Sequence, residues 1–232
     1  MTRAILLDIE GTTTPIDFVH KVLFPFAKDR IGKYVEQHFG DLAVEISQLI
    51  DESSHDETYT IPVDPTEPGS VAAYLEHLID VDRKSTPLKS IQGDLWKVGY
   101  GSGELKSIVY DDVPAAFERW TASGKTIAIY SSGSVLAQKL LFGYTDHGNL
   151  TPYISGHFDT NIGHKREANS YSKIAQELDL SPKDILFLSD IPEELEAASD
   201  AGLQTRLVVR PGNAEHAAAE RFESITSFDQ LG

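Results

Sequence analysis

Residues 4–14 read AILLDIEGTTT: four apolar residues run straight into Asp8, and a second carboxylate, Glu10, follows before one glycine and three threonines. An apolar run with no polar alternation predicts a strand buried on both faces of a parallel sheet. Carboxylates at the end of such a strand are costly to desolvate unless a cation, a substrate or a proton compensates them. Related runs recur at 126–131 (TIAIYS), 184–190 (DILFLSD) and 204–210 (QTRLVVR). Between them lie helical patterns. In 170–179, Tyr171, Ile174, Ala175 and Leu178 fall on one face. In 191–202, Pro192 suits a first helical position and Gly202 falls just past the end. Strand and helix in alternation predict an α/β fold, a doubly wound parallel-sheet core.

In such a sheet, ligands bind beyond the carboxyl ends of the strands. Three of the predicted strands end in Asp8, Ser131 and Asp190, which the fold would bring to one edge. Gathered carboxylates repel one another and raise each other's pKa, and a hard divalent cation removes that conflict. Mg²⁺ takes one or two carboxylates together with waters and phosphate oxygens, so Asp8 and Asp190 are its candidate ligands. The SSGS at 131–134 offers hydroxyls and N–H groups at a predicted helix start, a cradle for phosphate. Lys165, in NIGHKREANS, supplies an ammonium for the same anion, with His164 as the competing candidate. Glu193 and Glu194 read as first-turn charges favoured by the helix dipole.

Residues 15–105 read differently. An amphipathic stretch carries Phe18, Val19, Leu23, Ile31, Tyr34, Val35 and Phe39, interrupted at Pro25. A polar segment follows, then a second helix near 69–82. The segment is read as a helical insertion, rejoining the core through a turn-rich linker near GYGSGELKS at 99–107. The core is therefore expected at 1–14 and 106–232, with the insertion at 15–105. Composition sets further bounds. A net charge of −16, from 20 Lys and Arg against 36 Asp and Glu, argues against nucleic acid or an anionic membrane as partner. There are no cysteines, which excludes disulfides, zinc–thiolate sites and thiol nucleophiles. With no run approaching a membrane span and no signal-peptide pattern, a cytoplasmic protein is expected.

The spread of motifs resembles the haloacid dehalogenase superfamily of aspartyl-phosphate phosphatases. Its D-x-D strand end is matched by Asp8-Ile9-Glu10, its Ser/Thr strand end by Ser131, its lysine by Lys165 and its acidic strand end by Asp190. The insertion falls where that superfamily carries a helical cap. The second acid is a glutamate here, and DIEGTTT, YSSGSVLAQKLLFG, GHKREANSYSKIA and FLSDIPEELEAASDAG together resemble the enolase-phosphatases of methionine salvage. That resemblance implies a Mg²⁺-dependent enzyme acting on 2,3-diketo-5-methylthiopentyl 1-phosphate, which it enolises and then dephosphorylates to an acireductone. It implies Asp8 as nucleophile, Glu10 as proton donor and base, Ser131, Ser132 and Lys165 on the phosphate, and Asp8, Glu10 and Asp190 at the metal, with the Glu10 backbone carbonyl completing the shell. The enolising base is open between Glu10 and a residue of the cap. A monomer acting on this small-molecule substrate is the expectation; another phosphatase or phosphonate hydrolase of the superfamily is the alternative. In the cap, Gln92 and Trp96 are candidates for the methylthio group, with Trp96 favoured as plain core.

Overall fold

The computed structural model of the protein describes residues 2–215 and 220–231. Six parallel strands form one sheet in the order β3-β2-β1-β4-β5-β6. They are β1 (Ala4–Leu7), β2 (Thr126–Tyr130), β3 (Ile154–Phe158), β4 (Ile185–Ser189), β5 (Gln204–Val208) and β6 (Ser224–Ile225). The unalternating apolar runs are explained by burial on both faces. Ile5, Leu7, Ile127, Ile129, Leu186 and Leu188 pack on one side with Val113, Phe117, Trp120 and Phe142. Leu6, Ala128, Tyr130, Ile185 and Phe187 pack on the other with Tyr171, Ile174, Leu195 and Ala198. The first group belongs to helices α6 (Asp112–Ala122) and α7 (Val135–Gly143), the second to α8 (Ala168–Glu177) and α9 (Pro192–Asp200).

β1 is central: Leu7 lies opposite Ile129 of β2 and Leu188 of β4. Strand order runs outward from it in both directions, so the switch point between β1 and β4 opens at their carboxyl ends, where a ligand crevice forms in such sheets. Two strands escaped the sequence reading. In β3, ISGHF puts Gly156 and His157 where an apolar pattern was sought, as an edge strand permits; β6 has only two residues.

The chain divides into two compact units, Met1–Val19 with Lys106–Gly232, and His20–Leu105. Residues 15–19, expected in the insertion, group with the first unit, and Phe18 and Val19 are buried. The second unit contains most of a π-helical stretch (Val19–Leu23), α2 (Phe24–His38), α3 (Ala43–Ser54), α4 (Pro68–Asp80) and α5 (Thr86–Ser102); α1 (Ile16–Phe18) precedes it in the chain. Ala27, Ile31 and Val35 of α2 follow the i, i+4 spacing and are buried, as are Val71, Tyr74, Leu75 and Leu78 of α4. The expected linker beginning at Gly99 proves helical through Ser102 and ends at Gly103 in the left-handed conformation; at Gly99 a Cβ would strike Phe26 and Leu105. Trp96 is core: it is buried and its indole N–H donates to the Leu23 carbonyl at 3.0 Å. The polar segment after α3 is tied down rather than loose. Buried Asp56 accepts from Thr58 Oγ1 at 2.6 Å and Arg83 at 3.0 Å, holding its carboxyl below the usual range.

Candidate active site

Asp8 leaves β1 with its N–H donating to Leu188 O of β4 at 3.0 Å, and its carboxylate is buried. Lys165, far away in sequence, reaches it: Nζ lies 2.6 Å from Asp8 Oδ1 and 2.5 Å from Glu194 Oε2. Glu194 also accepts from Ser189 Oγ at 2.9 Å. Glu194 does lie in the first turn of α9, as read from sequence, but it is also a buried partner of the lysine, whereas Glu193 is exposed. The available signal was its place four residues after Asp190, on the buried side of α9. His164, the alternative to Lys165, is exposed.

Burial alone would pull the Lys165 ammonium down, but the Asp8 and Glu194 carboxylates override it and hold the group firmly protonated. Asp190 has no comparable partner. Burial, then the negative charges of Asp8 and Glu194, push its carboxyl up to about 8. Burial raises Glu194 as well, with Lys165 opposing the shift. Asp8 and Glu194 share the one ammonium and Asp190 has none of its own, so the three buried acids leave the site with excess negative charge.

Asp190 is seated by what Gly11 lacks. Gly11 has φ +69°, and a Cβ there would strike the Asp190 carboxylate and lie 2.9 Å from Asn213 Oδ1. Asn213 in turn donates Nδ2 to Gly11 O at 3.0 Å and to Val208 O at 3.3 Å. Around this point the N–H groups of Thr12, Thr13 and Thr14 all point at Ile9 O, at 3.2, 2.9 and 2.9 Å, which closes a tight turn after Glu10. Among the described residues no three Asp, Glu or His side chains surround one point. What the site offers is two carboxylates and backbone carbonyls, an all-oxygen set in an acidic, partly uncompensated pocket, which fits a hard divalent cation. Gly11→Ala is expected to destabilise by about 1–2 kcal/mol from backbone conformation alone and to displace Asp190; urea unfolding and phosphate release would check the two effects.

Linkage gives a sign for the metal-free protein. Asp190 has a raised folded-state pKa, so between about 4 and about 8 the folded form binds the extra proton. Stability conferred below that range is expected to be lost as pH rises through it, which thermal melts across pH in EDTA would show.

Ser131 follows β2 with its N–H on Phe158 O at 3.2 Å, and its hydroxyl accepts from Gly133 N at 3.2 Å. Ser134 caps α7 by accepting from Ala137 N, and Asp159 accepts from Val135 N, both at 3.3 Å. Gln138 fixes the loop by donating to Gly133 O at 3.0 Å and Phe158 O at 2.7 Å. Ser132 N–H and hydroxyl donate to nothing among the described residues, and they stand before the α7 N-terminus, where an anion is favoured.

The pattern of the family described as haloacid dehalogenase-like hydrolase matches residues 2–202. The chain is 52% identical over 231 residues to enolase-phosphatase E1 of Synechococcus elongatus, covering 98% of this chain and 96% of that protein. It is 47% identical over 238 residues to enolase-phosphatase E1 of Drosophila simulans, covering 100% and 93%. Among solved structures, the UTR4 protein of Saccharomyces cerevisiae superposes with a TM-score of 0.81 at 36% identity, covering all of both chains.

Proposed function

The chain belongs to the haloacid dehalogenase-like hydrolases and, within them, to the enolase-phosphatases, and from that premise we propose how its site works. The substrate is 2,3-diketo-5-methylthiopentyl 1-phosphate, enolised first and then dephosphorylated to 1,2-dihydroxy-3-keto-5-methylthiopentene in methionine salvage. The observation that carries the reading is Asp8, at the end of the central strand, held by Lys165 beside the acid Asp190.

Asp8 attacks phosphorus, the bond to the departing oxygen breaks, and that oxygen takes a proton from Glu10. Glu10 then removes a proton from water, which attacks the aspartyl-phosphate and frees phosphate and Asp8. Ser131 and Ser132 hold phosphoryl oxygens, and Lys165 offsets the charge that builds on them. Asp8, the backbone carbonyl of Glu10 and Asp190 would hold Mg²⁺, which when bound polarises phosphoryl and enolate oxygens. No helix among the described residues is long and apolar enough to cross a membrane, and we place the enzyme in the cytoplasm as a monomer.

The test follows the diketone phosphate by absorbance and by phosphate release together. EDTA is expected to stop release and excess Mg²⁺ to restore it; release that survives EDTA would sink the reading. Glu10→Gln is expected to stop release as well, and the absorbance channel then shows whether enolisation also needs Glu10.

A further inference from the structure

Lys165 sits on a loop with no regular secondary structure, yet its ammonium must be placed to a fraction of an ångström. The loop backbone is not held by its own turns alone. Four consecutive carbonyls, of residues 162 to 165, each accept a side-chain hydrogen bond. Lys173 Nζ donates to Ile162 O at 3.0 Å, Tyr130 Oη to Gly163 O at 2.9 Å, Ser170 Oγ to His164 O at 2.8 Å and Tyr171 Oη to Lys165 O at 2.6 Å. Three donors come from the start of α8, whose side chains lean back toward the helix N-terminus and so over the preceding loop. The fourth comes from β2, from the residue just before Ser131.

The two tyrosines are fully buried and meet edge to face with ring centroids 5.4 Å apart; Tyr171 also packs on Phe187 at 5.1 Å. Buried rings wedged this way have little freedom, so their hydroxyls are fixed points. Gly163 adopts φ +143°, and Ser170 Oγ occupies the place its Cβ would take. Loop and donors are therefore fitted to each other. We infer that Tyr130, Tyr171 and Ser170 are positioning residues that fix the Lys165 loop, and that Tyr130 ties its placement to the phosphate loop beginning at Ser131.

This rests on Lys165 acting on the phosphoryl group, and the experiment separates the two claims. The variants are Tyr171→Phe, Tyr130→Phe, their combination and Ser170→Ala, with Tyr153→Phe as control, a tyrosine whose hydroxyl meets only Glu118 at 3.4 Å. Three quantities are read: kcat and KM with substrate and Mg²⁺, and the rate at which an amine-acylating reagent labels Lys165 in the folded protein, followed by mass spectrometry. The double variant is expected to lose at least tenfold in kcat with KM within about threefold, and to label Lys165 several-fold faster. Ser170→Ala moves both in the same direction by less, and Tyr153→Phe moves neither. Unchanged kcat and labelling in the double variant and in Ser170→Ala would overturn the inference. So would a kcat loss matched only by loss of folded protein, with labelling per folded molecule unchanged. Labelling needs no substrate, so it answers for the loop even if wild type released no phosphate.

Discussion

Asp8→Asn is expected to lower phosphate release by at least ~10⁴-fold, the scale on which enzymes lose rate when a covalent nucleophile is removed. The amide is nearly isosteric but has no nucleophilic oxygen. The same change is expected to leave the metal-free fold at least as stable as wild type. Asp8 and Glu194 contact the one ammonium while Asp190 has none, and removing the Asp8 charge relieves the repulsion that adds to burial in pushing Asp190 up. Lys165 keeps Glu194 as a partner, so no buried cation is stranded. Catalysis and stability then move in opposite directions at one position, as happens where a site is held against its own repulsion. Phosphate release and thermal melting in EDTA measure both arms. A variant that loses activity and melts well below wild type would show that Asp8 is needed for folding instead.

The second large effect is expected away from the phosphoryl site. Arg210, just past β5, is buried and donates Nη1 to Asp112 Oδ2 at 2.8 Å and to Thr226 O at 3.1 Å, and Nε to Thr12 O at 3.2 Å. Its guanidinium lies between Tyr110 and Phe228, 4.5 and 4.6 Å from their ring centroids. Arg210→Met removes the cation and leaves Asp112 buried without a counter-charge, a loss of about 3–5 kcal/mol for such a pair. The N–H of Phe228, 2.6 Å from Asp112 Oδ2, and the start of α6 still favour the carboxylate, which places the loss toward the lower end. Arg210→Lys is expected to recover only part of it, because the donors of an ammonium radiate from one nitrogen and lack the planar spread by which Nε and Nη1 reach separate acceptors. Urea unfolding of the two variants distinguishes them; equal stability for Met and Lys would contradict the assignment. Because Arg210 also holds Thr12, phosphate release should fall in the surviving folded fraction.

Asp8, Ser131 and Asp190 were legible because each closes an apolar run, and strand ends survive as a one-dimensional pattern. Lys165 was read as an ammonium for the same anion but with His164 as a competitor, since a lysine in a polar loop reads like any other; the family resemblance favoured it. Glu194 was read as a first-turn charge, but its ion pair was not, because Lys165 comes from a distant loop that no local rule brings near. Arg210 was invisible for the same reason: its aromatic slot is built from residues 110 and 228. β3 was missed because a strand at the sheet edge needs no continuous apolar run. For Glu194 and Arg210, what the sequence withheld was a contact between distant segments.

The central place of β1 also bears on how the chain is made. Its neighbours are β2, beginning at Thr126, and β4, beginning at Ile185, so the first strand synthesised waits for most of the chain before either edge is paired. Residues 20–105, helical and contiguous, have local contacts and can condense while that wait lasts. On the ribosome, AILL is then an apolar segment with two open edges, the kind of stretch that chaperones cover and that associates wrongly when they do not. Placing the nucleophile on an inner strand pairs that strand on both sides, and it gives β1 the longest wait in the sheet between its own synthesis and the covering of its second edge by β4.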